Sequence, residues 1–91
     1  MLPLACWAGQ LGMVKWLIAE GADVNAAMGD PPQTPLVAAA EKGSLEIIRF
    51  LLDNAADPSI KSATGDLPIM VAAKNGHKDA ARLLENRTAS P

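Results

Sequence analysis

The sequence predicts an all-α fold, a solenoid of stacked helix-turn-helix units joined by β-turn-like loops. Three observations predict it. The chain repeats itself, with Pro35 and Gly43 answered 33 residues later by Pro68 and Gly76, a period that belongs to stacked supersecondary units. Its composition is lopsided: 17 Ala and 11 Leu stand against 2 Trp, 1 Phe and no Tyr, which favours slim, closely approaching helices over a sheet that wants β-branched and aromatic side chains. Glycine and proline fall at matching places in each copy, where helices stop and start. The 91 residues suit a single domain, which at this size buries only about 60–65% of the surface its unfolded chain exposes. An apolar fraction of 49% excludes a disordered polypeptide.

The first block runs from Met1. Gly9, Leu11, Val14, Leu17 and Asp23 match Gly43, Leu45, Ile48, Leu51 and Asp57 at an offset of 34, so one extra residue lies in the linker between Asn25 and Thr34. This block opens Met1-Leu2-Pro3-Leu4, without a capping threonine, and its first helix is expected to be short or frayed. Gly21 stops its second helix. In the second block Thr34 caps a helix whose first position is Pro35, where a missing N–H costs nothing. Ala38, Ala39 and Ala40 keep that helix slim, and Gly43 ends it in the left-handed conformation. Leu45, Ile48, Leu51 and Leu52 then form one apolar stripe at helical spacing. Pro58 forbids the helix from resuming, and a polar loop from Ser59 to Asp66 carries the turn signal Thr64-Gly65. The third block repeats the pattern from Leu67-Pro68, but Leu67 supplies no hydroxyl cap. Lys78, Asp79, Arg82 and Glu85 give its last helix a water-facing side. At the other end Leu2, Leu4, Met13, Val14, Trp16 and Leu17 make an apolar surface without such a cap; it is exposed, self-associates, or stacks on further units.

Several function classes lose support at this stage. Eight basic and ten acidic side chains give a net charge of -2 with no basic run, which argues against nucleic-acid binding. Cys6 is the only cysteine, so neither an intrachain disulfide nor a cysteine zinc site can form. No window approaches the ~20 apolar residues of a membrane span and no signal peptide is visible; an intracellular, cytoplasmic protein is the expectation. His77 is the only histidine and lies two blocks from Cys6, roughly 20 Å at the spacing of packed helices, too far for a nucleophile pair. Gly9-Gln10-Leu11-Gly12 is too short to be a phosphate loop. No catalytic residue, metal ligand or cofactor is expected.

Thr34-Pro35-Leu36 with Ala39-Ala40 and Gly43, Leu45-Glu46-Ile47-Ile48 with Leu51-Leu52, Gly21-Ala22-Asp23-Val24-Asn25, and Asn75-Gly76-His77 together resemble the ankyrin repeat. The likeness covers residues 1–86, as three copies of about 1–29, 30–62 and 63–86, and leaves 87–91 as a flexible C-terminal tail. Ala55 stands where the pattern has glycine and Pro58 where it has valine. The resemblance implies that His77 hydrogen-bonds backbone beside the inter-helix glycine, and that Asn25 links adjacent loops. In some family members in animal cells the asparagine at this place is hydroxylated, with a leucine eight residues before it; Leu17 stands there. Cys6 is expected to pack as a small apolar residue between helices.

The resemblance further implies protein–protein recognition by a rigid concave face, built from loop tips and from the two residues after each alanine pair. By register these are Trp7 and Ala8, Glu41 and Lys42, and Lys74 and Asn75. The loop tips, Ala27 to Gln33 and Lys61 to Asp66, add Asp30, Gln33, Lys61, Thr64 and Asp66. Trp7 occupies a position that is charged in the other two copies. It is either a contact anchor, since interface hot spots are rich in Trp, or a cover for the ragged N-terminal end. The partner is a protein, and the chain is a monomer or self-associates weakly through its N-terminal end. The alternative reading is a structural fragment or spacer of a longer ankyrin array.

Overall fold

The computed structural model describes residues 9–27 and 32–89. Five helices follow in order among these residues: α1 Leu11–Ala19, α2 Pro35–Lys42, α3 Leu45–Asp53, α4 Pro68–Lys74 and α5 Lys78–Ala89. Helices α2 and α3 form one hairpin, and α4 and α5 the next; α1 is the second helix of the preceding unit. The expected first helix of that unit, over residues 1–8, lies outside the described residues. Stacking produces two layers. Helix α2 packs on α4 in one, while α1, α3 and α5 pack in sequence in the other.

The inner layer is made possible by small side chains. Pro35 to Ala40 are all buried, and Ala38, Ala39 and Ala40 have no exposed surface at all. A helix buried all along residues 35–40 must be slim where its neighbours cross it. The outer layer supplies bulk. Ile47, Ile48 and Leu51 on α3 join Val14, Leu36, Ala72, Ala80 and Leu84 in one core cluster, and each large member contributes about 1.5–3 kcal/mol on burial.

The helix ends follow the residues that mark them. Thr34 Oγ1 accepts from the Val37 N–H at 3.2 Å, whereas Leu67 makes no side-chain cap to α4. Gly43 closes α2 at φ +70°: its N–H reaches the Ala40 carbonyl (3.2 Å) and the Ser44 N–H that of Ala39 (3.2 Å), the two bonds of a Schellman cap. The same pair recurs after α1, α3 and α4. After α3 the residue in the left-handed position is Ala55, at φ +72°, the one such non-glycine among the described residues. The loop to α4 holds a β-turn closed by the Gly65 N–H on the Ser62 carbonyl at 2.9 Å.

Two expectations differ from the structure at the ends of the stack. The chain from residue 87 does not begin as a loose tail: α5 runs on to Ala89, and Arg87 Nη2 reaches Asp53 Oδ1 at 2.8 Å. The sequence Asn86-Arg87-Thr88-Ala89 lacks a helix stop, so the helix continues; residues 90 and 91 lie outside the described set. At the other end Val14 is fully buried and Leu17 half-buried against the core. Leu2 and Leu4 lie outside the described residues; among those described, the exposed part of the expected apolar surface is Met13, at 43% exposure, and Trp16, at 57%. Helical rotation explains this: Trp16 lies about 160° from Val14 on α1, at 100° per residue. Lys78, Asp79, Arg82 and Glu85 are exposed, as their polarity implied.

Candidate functional site

The nominated face begins at α2 and α4, which lie side by side and end at the same rim. Their last turns carry Glu41 and Lys42, and Lys74 with the capping Asn75. Between them and the 62–66 turn lies a concavity of about 180 Å³ lined by Gln33, Glu41, Thr64, Asp66, Lys74 and Asn75, with Val37, Ser62, Ala63 and Val71. Six of the eleven nominated residues thus meet in one place. Lys42 and Lys61 are exposed but do not line it. Trp7, Ala8 and Asp30 lie outside the described residues, as does Cys6. Val37 and Val71 were not nominated, although a signal existed: each stands one helical turn, four residues, before a nominated position, Glu41 or Asn75.

The lining is held by its own hydrogen bonds. Gln33 Nε2 donates to Glu41 Oε2 at 3.1 Å in a half-buried setting, tying the entrance of α2 to its exit. Asp66 is fixed from three sides. Lys74 Nζ lies 2.9 Å from its Oδ2, the Thr64 hydroxyl donates to the same oxygen at 3.1 Å, and the Asp66 N–H donates to Ser62 Oγ at 3.2 Å. The Lys74 bond first, then that of Thr64, holds the Asp66 carboxyl below its ordinary pKa. Asn75 Nδ2 donates back to the Val71 carbonyl at 2.8 Å. Such a surface presents fixed shape and charge without having to be ordered by its ligand.

Between units the framework is locked by two contacts of the implied kinds. His77 Nε2 lies 3.0 Å from the Glu41 carbonyl oxygen; a carbonyl only accepts, so Nε2 carries the proton. Asn25 Oδ1 accepts from the Asp57 N–H at 2.7 Å, and its Nδ2 donates to the Ala55 carbonyl at 3.3 Å. Among the described residues no group of three His, Cys, Asp or Glu side chains could hold a metal ion, and no helix is long and apolar enough to cross a membrane. On the opposite layer a depression of about 300 Å³ between α1 and α3 is lined by Leu11, Lys15, Glu46, Arg49, Phe50 and Asp53, with Lys15 Nζ 5.7 Å from the Phe50 ring centre.

Comparison with known proteins agrees with this geometry. A family model of three consecutive ankyrin repeats matches residues 2–91. An ankyrin repeat-containing protein of Treponema pallidum (strain Nichols) is 36% identical over 93 residues, covering 100% of this chain and 30% of that protein. The B-cell lymphoma 3 protein homolog of Mus musculus is 36% identical over 80 residues, 88% of this chain and 18% of its own length. A palmitoyltransferase of Lachancea kluyveri is 40% identical over 62 residues, 65% of this chain but 8% of that enzyme. The chain thus spans less than a third of each of these relatives. Ankyrin repeats are in general protein–protein interaction modules rather than catalysts. With the period, the paired helices, the alanine inner layer and the family match in agreement, this chain belongs to the ankyrin repeat family.

Proposed function

We propose that this chain binds a partner protein through its concave face and loop tips, by docking of a rigid surface without chemistry. The observation that carries the reading is the convergence of Gln33, Glu41, Thr64, Asp66, Lys74 and Asn75 on one concavity whose polar side chains are already held in place. In a solenoid, equivalent positions of successive units line up on one face, so a partner meets Glu41 and Lys74 side by side. Lys42 and Lys61 flank it; Trp7, Ala8 and Asp30 belong to the proposed binding set by register alone and lie outside the described residues. The units are those of about 1–29, 30–62 and 63–86. A cytoplasmic setting fits, since the lone Cys6 makes no demand for an oxidising compartment.

The test is quantitative capture from a lysate of the native source by wild type, by Glu41→Arg/Asn75→Arg, and by Lys15→Glu on the opposite layer. A protein captured by wild type and Lys15→Glu but lost by the folded double variant supports the reading. A protein lost only with Lys15→Glu overturns it.

A second reading rests on Met13 and Trp16, the exposed stripe of α1. There the chain serves as a spacer in an ankyrin array or associates weakly with a second copy. Light scattering on wild type and Trp16→Lys separates the two readings. A mass above the monomer that collapses in the variant supports association through this end.

A further inference from the structure

We infer that the concavity between α2 and α4 takes a basic side chain, arginine or lysine, from a segment of the partner protein, with its cationic head on Glu41. The inference rests on the concave-face reading above and specifies the chemistry that face selects.

Among the described residues, three charged side chains line the concavity: Glu41, Asp66 and Lys74. Lys74 and Asp66 neutralise each other across 2.9 Å. Glu41 has no ion-pair partner among the described residues; its Oε2 takes the Gln33 amide at 3.1 Å. That bond orients the carboxylate and leaves its charge in place. The described part of the lining therefore carries a net negative charge centred on Glu41. The backbone adds to it. Glu41 lies in the last turn of α2, and α4 also ends at this rim. Helix C-termini carry partial negative charge and favour cations. A carboxylate here works against its own helix, so stabilising α2 does not explain Glu41, whereas an incoming cation meets both the carboxylate and the helix end. Ala63 and Val71 supply accessible apolar lining for the methylene stem of such a side chain. A space of about 180 Å³ has room for a side chain rather than for a folded element. Lys42 and Lys61, which would oppose a basic ligand, are not among the lining residues.

The probe is a displayed library of random peptides, selected on the whole chain. Selected peptides are placed on the surface by the amide NMR shifts they cause, and their affinities are measured for wild type, Glu41→Gln and Lys74→Met. Glu41→Gln keeps an oxygen for the Gln33 amide and removes only the charge, so its Tm stays at or above that of wild type. The expected result is that peptides shifting Val37, Glu41 and Val71 are enriched in Arg or Lys. They bind Glu41→Gln about tenfold more weakly, lose affinity as salt rises, and bind Lys74→Met at least as well as wild type. Peptides that shift the same residues but are enriched in Asp or Glu, and that fail on Lys74→Met, overturn this inference and leave the concave face standing. Peptides that shift only α1, α3 or α5 overturn the concave-face reading itself.

Discussion

His77 and Glu41 are joined across two units, ring nitrogen to backbone carbonyl, at 3.0 Å. The bond fixes the exit of α2 against the entry of α5, and it places the imidazole where a β-carbon on Gly43 would stand 2.5 Å from His77 Nδ1. Gly43 is therefore required twice, by its φ of +70° and by the ring above it. Gly43→Ala is expected to lower stability by about 2–3 kcal/mol, combining left-handed strain with the clash. His77→Ala costs about 1–2 kcal/mol through the half-buried carbonyl it abandons. In a His77→Ala background the cost of Gly43→Ala should fall, because the clash is gone while the strain remains. Urea unfolding of the four proteins closes that cycle; additive effects would refute the steric part.

Asn25 performs the equivalent service between loops. Its amide accepts from Asp57 and donates to Ala55 in the next unit. Asn25→Ala removes both bonds and should cost about 1–2 kcal/mol, a fall in Tm of about 4–8 °C per kcal/mol at this size. Hydrogen exchange at the Asp57 amide should rise along with it. An unchanged Tm would mean that water replaces the amide without loss.

Ala55 marks a place where the sequence departs from its own pattern at an energetic cost. The helix ends at Gly21, Gly43 and Gly76 use glycine at positive φ, and Ala55 takes the same role at φ +72°. Ala55→Gly relieves a strain of about 1–2 kcal/mol and adds some unfolded-state entropy. A net gain of about 0.5–1 kcal/mol is expected in thermal or urea unfolding. A loss would show that the alanine side chain contributes contacts that outweigh the strain.

Two carboxylates, the exposed Asp57 and the half-buried Asp66, couple stability to pH. Asp57 is held below its ordinary pKa by the Ser59 hydroxyl, then the Ser59 N–H, and Asp66 by Lys74, then Thr64. A depressed folded pKa gives stability that is present above the unfolded value of about 3.9 and is lost as pH falls through the folded value. Tm should therefore drop from pH 5 to pH 2. Ser59→Ala and Lys74→Met should each flatten part of that drop and change little between them at pH 2. Curves that stay parallel to wild type would contradict the assignment.

Much of this was legible in the residues, and the reasons are specific. Thr34, Pro35 and Gly43 act through local backbone geometry, so their spacing announces α2 and its ends directly. Asn25 and His77 were readable through the family pattern, and both contacts are of the expected kind. Composition groups Val14 and Trp16 in one apolar surface, although two residues of helix place them on nearly opposite sides of α1, which is how the structure buries the first and exposes the second. The continuation of α5 to Ala89 was missed for a related reason: the pattern ends near residue 86, but nothing in Arg87 or Ala89 stops a helix, and Asp53 waits one unit away. For the candidate face, register found Glu41, Lys74 and Asn75. It did not find that Gln33 orients Glu41 or that Lys74 is occupied by Asp66, since those pairings depend on how two loops fold over the inner helices.

The central claim is that recognition occurs on the face made by α2, α4 and the 62–66 turn. Hydrogen exchange of the whole chain, alone and saturated with the captured protein or the tightest selected peptide, tests it most directly. The account predicts new protection concentrated at residues 37–43, 62–66 and 71–76, with α1, α3 and α5 unchanged. Protection confined to α1 around Met13 and Trp16, with the concave segments unaffected, would contradict it.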